Sequence, residues 1–455
     1  MLLMAVFVVA LWTLHYLLKS RTLGFWTPDG IFVTFQLLLC VGTFYLVNPH
    51  DPAELEYARI ITLAFAVYVF VSIVAGQYIY SVRGSRYSEA RSVLVTRPGG
   101  LFILALVASV LISAVYYYFV GYNTFLIGIQ SVFAPDGDDA DIATLRIESY
   151  GGSRYLFPGY VNQFKNILLP ALSVVLIHWM YSASIKWRHL TSAALVAVTL
   201  LLLLGTGQRG AFVVFGLTIV TYLARVFGRR ALGYVVKFSA VFVPALLLAT
   251  LANQRSEPVD GSGLVGMVRA TVSQLATRVL FDNQASGIRG FHYTHDLDIQ
   301  YGKEWIKGLI GLLPRVQGSS LSNEIFATAY GSLRGTSPPS LWGSVHYNFG
   351  LLGLVVFAAM LAVGLTWLGH WLDCRESVST LGAIGMAGVS VVFGTWLAGG
   401  PDYLLNNGLV PFLVLTLLGS RRALSRDTSR HRITVEEDVV GARRSLPVAH
   451  GKGVC

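Results

Sequence analysis

The sequence predicts an all-α, polytopic integral membrane protein with about 11 transmembrane helices. Three observations carry that expectation: a composition too poor in charge for a water-exposed surface, a succession of apolar runs of spanning length, and an alternation of charge between those runs. Of the 455 residues, 54% are hydrophobic and only 13% charged, about half the roughly 25% charged residues usual in soluble chains. Lipid must therefore cover much of the surface.

A helix needs about 20 mostly apolar residues to cross the ~30 Å hydrocarbon core. Runs near that length fall at roughly 1–18, 30–47, 58–80, 100–120, 166–184, 189–206, 210–227, 233–252, 341–369, 379–398 and 402–420. The first has no basic segment before it and no small-residue cleavage site after it, so it reads as a retained span and not as a signal peptide. The sixth and seventh are short. A tilted or interfacial segment is expected to precede the ninth.

Charge then gives the direction. Lys19 and Arg21 follow the first run, Arg83, Arg86, Arg91 and Arg97 the third, Lys186 and Arg188 the fifth, and Arg225, Arg229 and Arg230 the seventh. Excess Lys and Arg marks cytoplasmic connections. The second connection instead carries Asp51, Glu54 and Glu56, and Asp402 is the one charge in the tenth. The ninth, with Arg375 beside Asp373 and Glu376, is neutral and gives no vote. The N-terminus is expected outside and the C-terminus in the cytoplasm, with Arg421, Arg422, Arg426, Arg430 and Arg432 just past the last span. The net charge of +10 thus follows from topology and does not call for nucleic acid.

This topology divides the chain into a membrane domain, 1–420, and a basic tail, 421–455, whose polar composition predicts disorder. Two long connections, about 121–165 and 253–340, fall on the outer face. Both hold aromatic and aliphatic residues at the density of folded segments, which predicts short helices within them. The stretch 263–281, with Leu264, Val268, Thr271, Leu275 and Val279 on one face, fits a helix lying on the membrane surface. Loops of this length usually carry function. Cys40, Cys374 and Cys455 lie outside these loops, so no disulfide framework is expected.

The polar groups that break the apolar pattern gather on the same expected face. Gly205-Thr206-Gly207-Gln208-Arg209-Gly210-Ala211 separates two runs so closely that Arg209 must sit at or near the outer boundary. A cation in a helix centre costs ~2.5–3.5 kcal/mol on insertion scales and less near the interface. Arg209 is either a snorkelling turn residue or an anion-binding one flanked by glycines that let a phosphate approach the backbone; we favour the second. In the fourth connection, Arg146, Glu148 and Arg154 stand among hydroxyl and aromatic residues, a mixture suited to sugars. In the eighth, Arg278, Arg289, Arg315 and Arg334 have no topological reason to be outside and together would hold a diphosphate. His346, Tyr347 and Asn348 head an otherwise apolar span, where polar side chains face a cavity or the protein interior. His346 would serve as a general base or a phosphate ligand.

Neither possible metal cluster is convincing. Asp136, Asp138, Asp139 and Asp141 lack the twelve-residue calcium-loop pattern, and His292, His295, Asp296 and Asp298 have no accompanying ligand motif. No metal or cofactor is expected.

The T-G-x-R-G-A segment between two mid-chain spans, the large external loop late in the chain and the Asn348-Phe349-Gly350-Leu351-Leu352-Gly353 re-entry after it together resemble the O-antigen polymerase and ligase superfamily of bacterial envelopes. The layout extends over about 1–420, while the motifs themselves cover about 30 residues. The histidine lies nearer the G-x-x-G than in the ligase branch, and the paired loop motifs of some polymerases are not cleanly present. The resemblance implies a GT-C-like helical fold in a bacterial cytoplasmic membrane and a polyprenyl-diphosphate-linked oligosaccharide as substrate. It implies glycosyl transfer on the outer face, building O-antigen, capsule or exopolysaccharide, with a flippase and a chain-length regulator as partners. Arg209 would contact the donor diphosphate; Arg146, Arg154, Arg278, Arg289, Arg315, Tyr347 and Asn348 would bind substrate; His346 or Glu148 would be the base. A ligase, another lipid-linked glycosyltransferase, or a flippase or transporter are the alternatives. The absence of an internal repeat speaks against transport.

Overall fold

The computed structural model describes all residues except 20–23, 84–91, 134–141, 152–157, 208, 252–263, 314–320, 332–335, 375–376 and 425–455. The described chain is helical almost throughout. In order the helices are α1 Leu2–Lys19, α2 Pro28–Leu46, α3 Pro52–Arg83, α4 Gly100–Val120, α5 Thr124–Phe133, α6 Ile142–Gly151, α7 Pro158–Asn162, α8 Leu169–Ser182, α9 Arg188–Leu204 and α10 Arg209–Phe227. There follow α11 Ala231–Leu251, α12 Leu264–Thr277, α13 Asn283–Thr294, α14 Lys303–Ile310, α15 Leu321–Tyr330, α16 Leu341–Asp373, α17 Thr380–Gly394, α18 Asp402–Asn406 and α19 Leu409–Leu424. Two π-helical turns, Gln163–Leu168 and Arg278–Asp282, lead into α8 and α13.

Among the described residues, eight helices are long and apolar enough to cross a membrane: Leu2–Lys19, Pro28–Leu46, Pro52–Ile79, Gly100–Val120, Gly159–Ser182, Gly210–Phe227, Ala231–Leu251 and Leu341–Asp373. The protein is thus a multi-pass helical membrane protein. Three shorter apolar helices, Arg188–Leu204, Thr380–Gly394 and Leu409–Ser420, coincide with the sixth, tenth and eleventh runs. Their shortness has a visible cause in α17, where nearly every residue is buried among other helices. Its glycine edge lets α19 come so near that a Cβ on Gly382 would stand 3.3 Å from the Gly419 backbone. Close approach through small residues is how membrane helices gain packing energy, because lipid is as apolar as leucine. By contrast α11 and α1 are largely exposed, as lipid-facing helices should be.

Local signals set the helix ends. Thr27 caps α2, its hydroxyl accepting from Gly30 N at 3.2 Å, and Pro28 occupies the first turn where its missing N–H is harmless. Asp51 caps α3 through Oδ1, which accepts from Ala53 N at 2.9 Å and Glu54 N at 3.2 Å. Gly121, at φ 84°, closes α4 in the left-handed conformation that glycine adopts at little steric cost.

The connections sort onto two ends of the bundle. At one end the segment after α3 forms a strand, β1 Ser92–Leu94, parallel to β2 Ser377–Ser379 after α16, with Val93 opposite Val378. This small sheet departs from the all-α expectation. Arg225, after α10, reaches Asp373 Oδ1 at 3.1 Å and the Trp26 carbonyl at 3.0 Å at the same end. The ninth connection, silent by charge, therefore lies with the basic ones. At the other end Thr124 N donates to Gly205 O at 2.8 Å, and Gly399 N to Pro339 O at 2.8 Å. Gln163 Nε2 donates to Leu405 O at 3.1 Å there. The last helix, α19, continues to Leu424, and the rest of the expected tail lies outside the described residues.

Candidate functional site

At the end that carries the long connections, two polar clusters stand out, and α18 contacts an element of each. The first is built on the C-terminal turn of α9. Tyr117 Oη donates to Leu202 O at 2.7 Å and Asn123 Nδ2 to Leu201 O at 3.2 Å, satisfying carbonyls that a helix end leaves over. A Cβ on Gly205 would lie 2.5 Å from Tyr117 Oη, so only glycine admits this contact. Gly207, at φ 69°, then turns the chain toward Arg209, the first residue of α10.

Into this turn points Lys165. It is carried by the π-helical turn before α8, and such turns are frequent at functional sites. Its side chain is completely buried, and Nζ donates to Thr206 Oγ1 at 2.9 Å. The ammonium also lies 5.5 Å and 5.8 Å from the ring centroids of Tyr116 and Tyr117, within range of a cation–π attraction. Among the described residues no carboxylate pairs with it.

The second cluster forms where α14 lies across the first turns of α16. Asn348, fully buried, donates through Nδ2 to Glu304 Oε2 at 3.1 Å and to Ser344 O at 2.9 Å. Its own Oδ1 has no hydrogen-bond partner among the described residues. Trp305 Nε1 donates to Ser344 Oγ at 2.8 Å, and its ring meets Phe349 edge-on at 5.1 Å. Asp402, at the start of α18, comes so close to α14 that a Cβ on Gly308 would stand 3.4 Å from its carboxylate. Burial raises the proton affinity of Glu304 above the ordinary carboxylate range; the hydrogen bond from Asn348 and the charge of Lys307 oppose this, while Asp402 and Glu324 reinforce it. Gln163, two residues before Lys165, binds the Leu405 and Asn406 carbonyls of α18 at 3.1 and 3.2 Å. One short helix thus touches both clusters.

The geometry separates the residues singled out in the sequence. His346, Tyr347 and Asn348 do gather at the head of α16, with the His346 ring centroid 5.6 Å from that of Phe291. Arg289 is exposed on α13, and Glu148 is exposed on α6. Arg146, Arg209 and Arg278 belong to helical segments, but their side chains lie outside the described residues, as do Arg154 and Arg315 altogether. His292 joins none of its sequence neighbours. Its Nε2 lies 3.5 Å from both Asp51 and Glu54, bringing three ligand-type atoms within 4.8 Å of one another. His295 lies 2.8 Å from Asp296 and 3.2 Å from Glu56, and these two carboxylates raise its proton affinity, Asp296 first. Together these pairs fasten α13 to the start of α3. They read as ion pairs, because the other oxygens of Asp51 and Glu54 are engaged with backbone N–H groups near the start of α3.

Lys165 and Glu304 escaped sequence reading. Lys165 stands one residue outside the expected fifth span. A lone lysine on the side expected to be outer, where no topological rule asks for it, is the signal that marks it. Glu304 is a single acid in Lys303–Ile310, a helix whose apolar face gives no hint of its partners.

No protein-family profile matches the chain, and no curated protein or solved structure matches it either.

Proposed function

We propose that the protein polymerises polyprenyl-diphosphate-linked oligosaccharide repeat units into a surface polysaccharide by glycosyl transfer on the outer face of a bacterial cytoplasmic membrane. The carrying observation is the buried Lys165 ammonium, hydrogen-bonded to Thr206 within the same glycine-bounded turn that leads to Arg209. A diphosphate leaving group gains negative charge as the glycosidic bond breaks, and preorganised cations in a water-poor site stabilise that charge without a metal. Lys165 and the turn at Gly205–Arg209 form the diphosphate-binding side in this reading. The cluster around Glu304, Asn348 and Trp305 forms the sugar-binding side, since an aromatic face beside carboxylate and amide groups suits a sugar. The reading takes the chain as a GT-C-like bundle of about eleven crossings, and the gathering of basic connections at one end supports an N-terminus outside and a C-terminus inside.

Reconstitution of the full chain in vesicles with a lipid-diphosphate-linked repeat unit tests this. A ladder of products growing by one repeat unit is expected. A single transfer to a different acceptor would make the protein a ligase. Passage of the substrate across the bilayer without new glycosidic bonds would make it a flippase.

A further inference from the structure

We infer that Glu304 is the general base that deprotonates the acceptor sugar hydroxyl, and that Asn348 Oδ1 receives a second hydroxyl of the same sugar. This rests on the glycosyl-transfer reading above and assigns the acceptor half of the site, which the sequence left to His346 or Glu148.

The argument begins from an imbalance. The Asn348 amide spends its N–H donors on Glu304 Oε2 and on Ser344 O, at 3.1 and 2.9 Å, while its oxygen is buried with no donor among the described residues. A buried acceptor without a donor costs roughly 1–3 kcal/mol, and it persists where a ligand supplies what the protein withholds. Beside it stands a half-buried carboxylate, Glu304. Two adjacent acceptors match a group that brings two donors. Neighbouring hydroxyls of a sugar ring are such a group, and a phosphate is not. Trp305, hydrogen-bonded to Ser344 and edge-on to Phe349 and Phe357, stands at the same place.

The chemistry balances on these groups. The acceptor O–H proton passes to Glu304 as that oxygen bonds to the anomeric carbon of the donor. The bond from that carbon to the carrier phosphate breaks, and its electron pair leaves with the diphosphate. Glu304 then releases its proton to water. Asp402 and Glu324 face Glu304 with negative charge, Lys307 with positive charge, and the neutral Tyr347 phenol lies nearby. The balance favours a base that holds a proton more tightly than a free carboxylate does. The competing bases are less well placed: His346 packs its ring on Phe291, and Glu148 is exposed on α6.

The test measures chain extension by the reconstituted full chain between about pH 4 and 9, together with binding of the lipid-linked donor. Glu304→Gln keeps an oxygen for Asn348 and should bind the donor normally, yet lose about 10²–10⁴-fold in rate. Glu304→Asp should recover part of that loss. In the wild type the rate should rise with pH as Glu304 loses its proton. Asp402→Asn removes a repelling charge and should shift that rise to lower pH, a displacement that a packing role would not produce. Extension by Glu304→Gln at more than a tenth of the wild-type rate would overturn the assignment and leave the polymerase reading standing. Absence of any extension by the wild type would overturn both.

Discussion

Lys165 Nζ lies 2.9 Å from Thr206 Oγ1, with the Tyr116 and Tyr117 rings beneath it and no carboxylate in reach among the described residues. A buried ammonium with a single hydrogen bond is a poor choice for stability, because burying an unpaired charge is costly. On the glycosyl-transfer reading the diphosphate supplies the missing counter-charge. Lys165→Met should therefore leave thermal stability equal or higher while lowering chain extension about 10- to 100-fold, the equivalent of one charge-assisted hydrogen bond of about 1.5–3 kcal/mol. Parallel unfolding and rate measurements check this. A variant that is unstable but fully active per folded molecule would show that Lys165 only packs.

Lys19 presents the opposite case, a buried lysine whose bonds are complete. Its Nζ donates to Asp29 Oδ2 and Ser72 Oγ at 2.7 Å and to Thr366 Oγ1 at 2.8 Å. Asp29 Oδ1 accepts from Tyr68 at 2.7 Å and Ser72 at 2.8 Å, and His15 Nε2 lies 3.1 Å from its Oδ2. Only Val8, His15 and Lys19 of α1 are buried, so this network does much of the work of holding α1 to the bundle. Lys19→Met alone should destabilise by about 3–5 kcal/mol, because it strands the Asp29 charge. Lys19→Met with Asp29→Leu should recover most of that loss, as buried pairs replaced by apolar residues often do. Denaturation in detergent measures both. A double variant no better than the single would mean that shape, and not charge pairing, holds α1.

The helices were legible because hydropathy and charge are local properties of sequence. Eight of the expected runs stand as long apolar helices, and the sixth, tenth and eleventh as shorter ones. What was not legible depends on residues distant in sequence. The β1–β2 pairing joins Val93 to Val378, and the short core helix α17 owes its depth to packing against α19. In the same way Glu304 acquires its character from burial, and then from Asn348 and Asp402, which composition does not link to it. His292 illustrates the limit: its spacing to His295 and Asp296 says nothing of its actual partners, Asp51 and Glu54. The cluster at His346, Tyr347 and Asn348 was found because polar residues heading an apolar span are anomalous within a single window.

The Asn348-Phe349-Gly350 motif contains one more constraint that local pattern hid. Gly350 has φ 67° and ψ −173°, so α16 is two helices joined at a break directly after Asn348 and Phe349. That combination of angles is essentially confined to glycine and costs another residue about 1–3 kcal/mol. At the break Ile299, from the connection between α13 and α14, lies against the chain, where a Cβ on Gly350 would meet its Cδ1 at 3.0 Å. Gly350→Ala must either bear this strain or straighten the helix. Straightening would turn the 341–349 segment and carry Asn348 away from Glu304. Gly350→Ala is thus expected to lose about 1–3 kcal/mol of stability and, in the molecules that remain folded, to extend glycan chains more slowly with donor binding unchanged. Donor binding lost in step with rate would place the effect of the break on the diphosphate side instead, and would separate the Asn348 cluster from acceptor recognition.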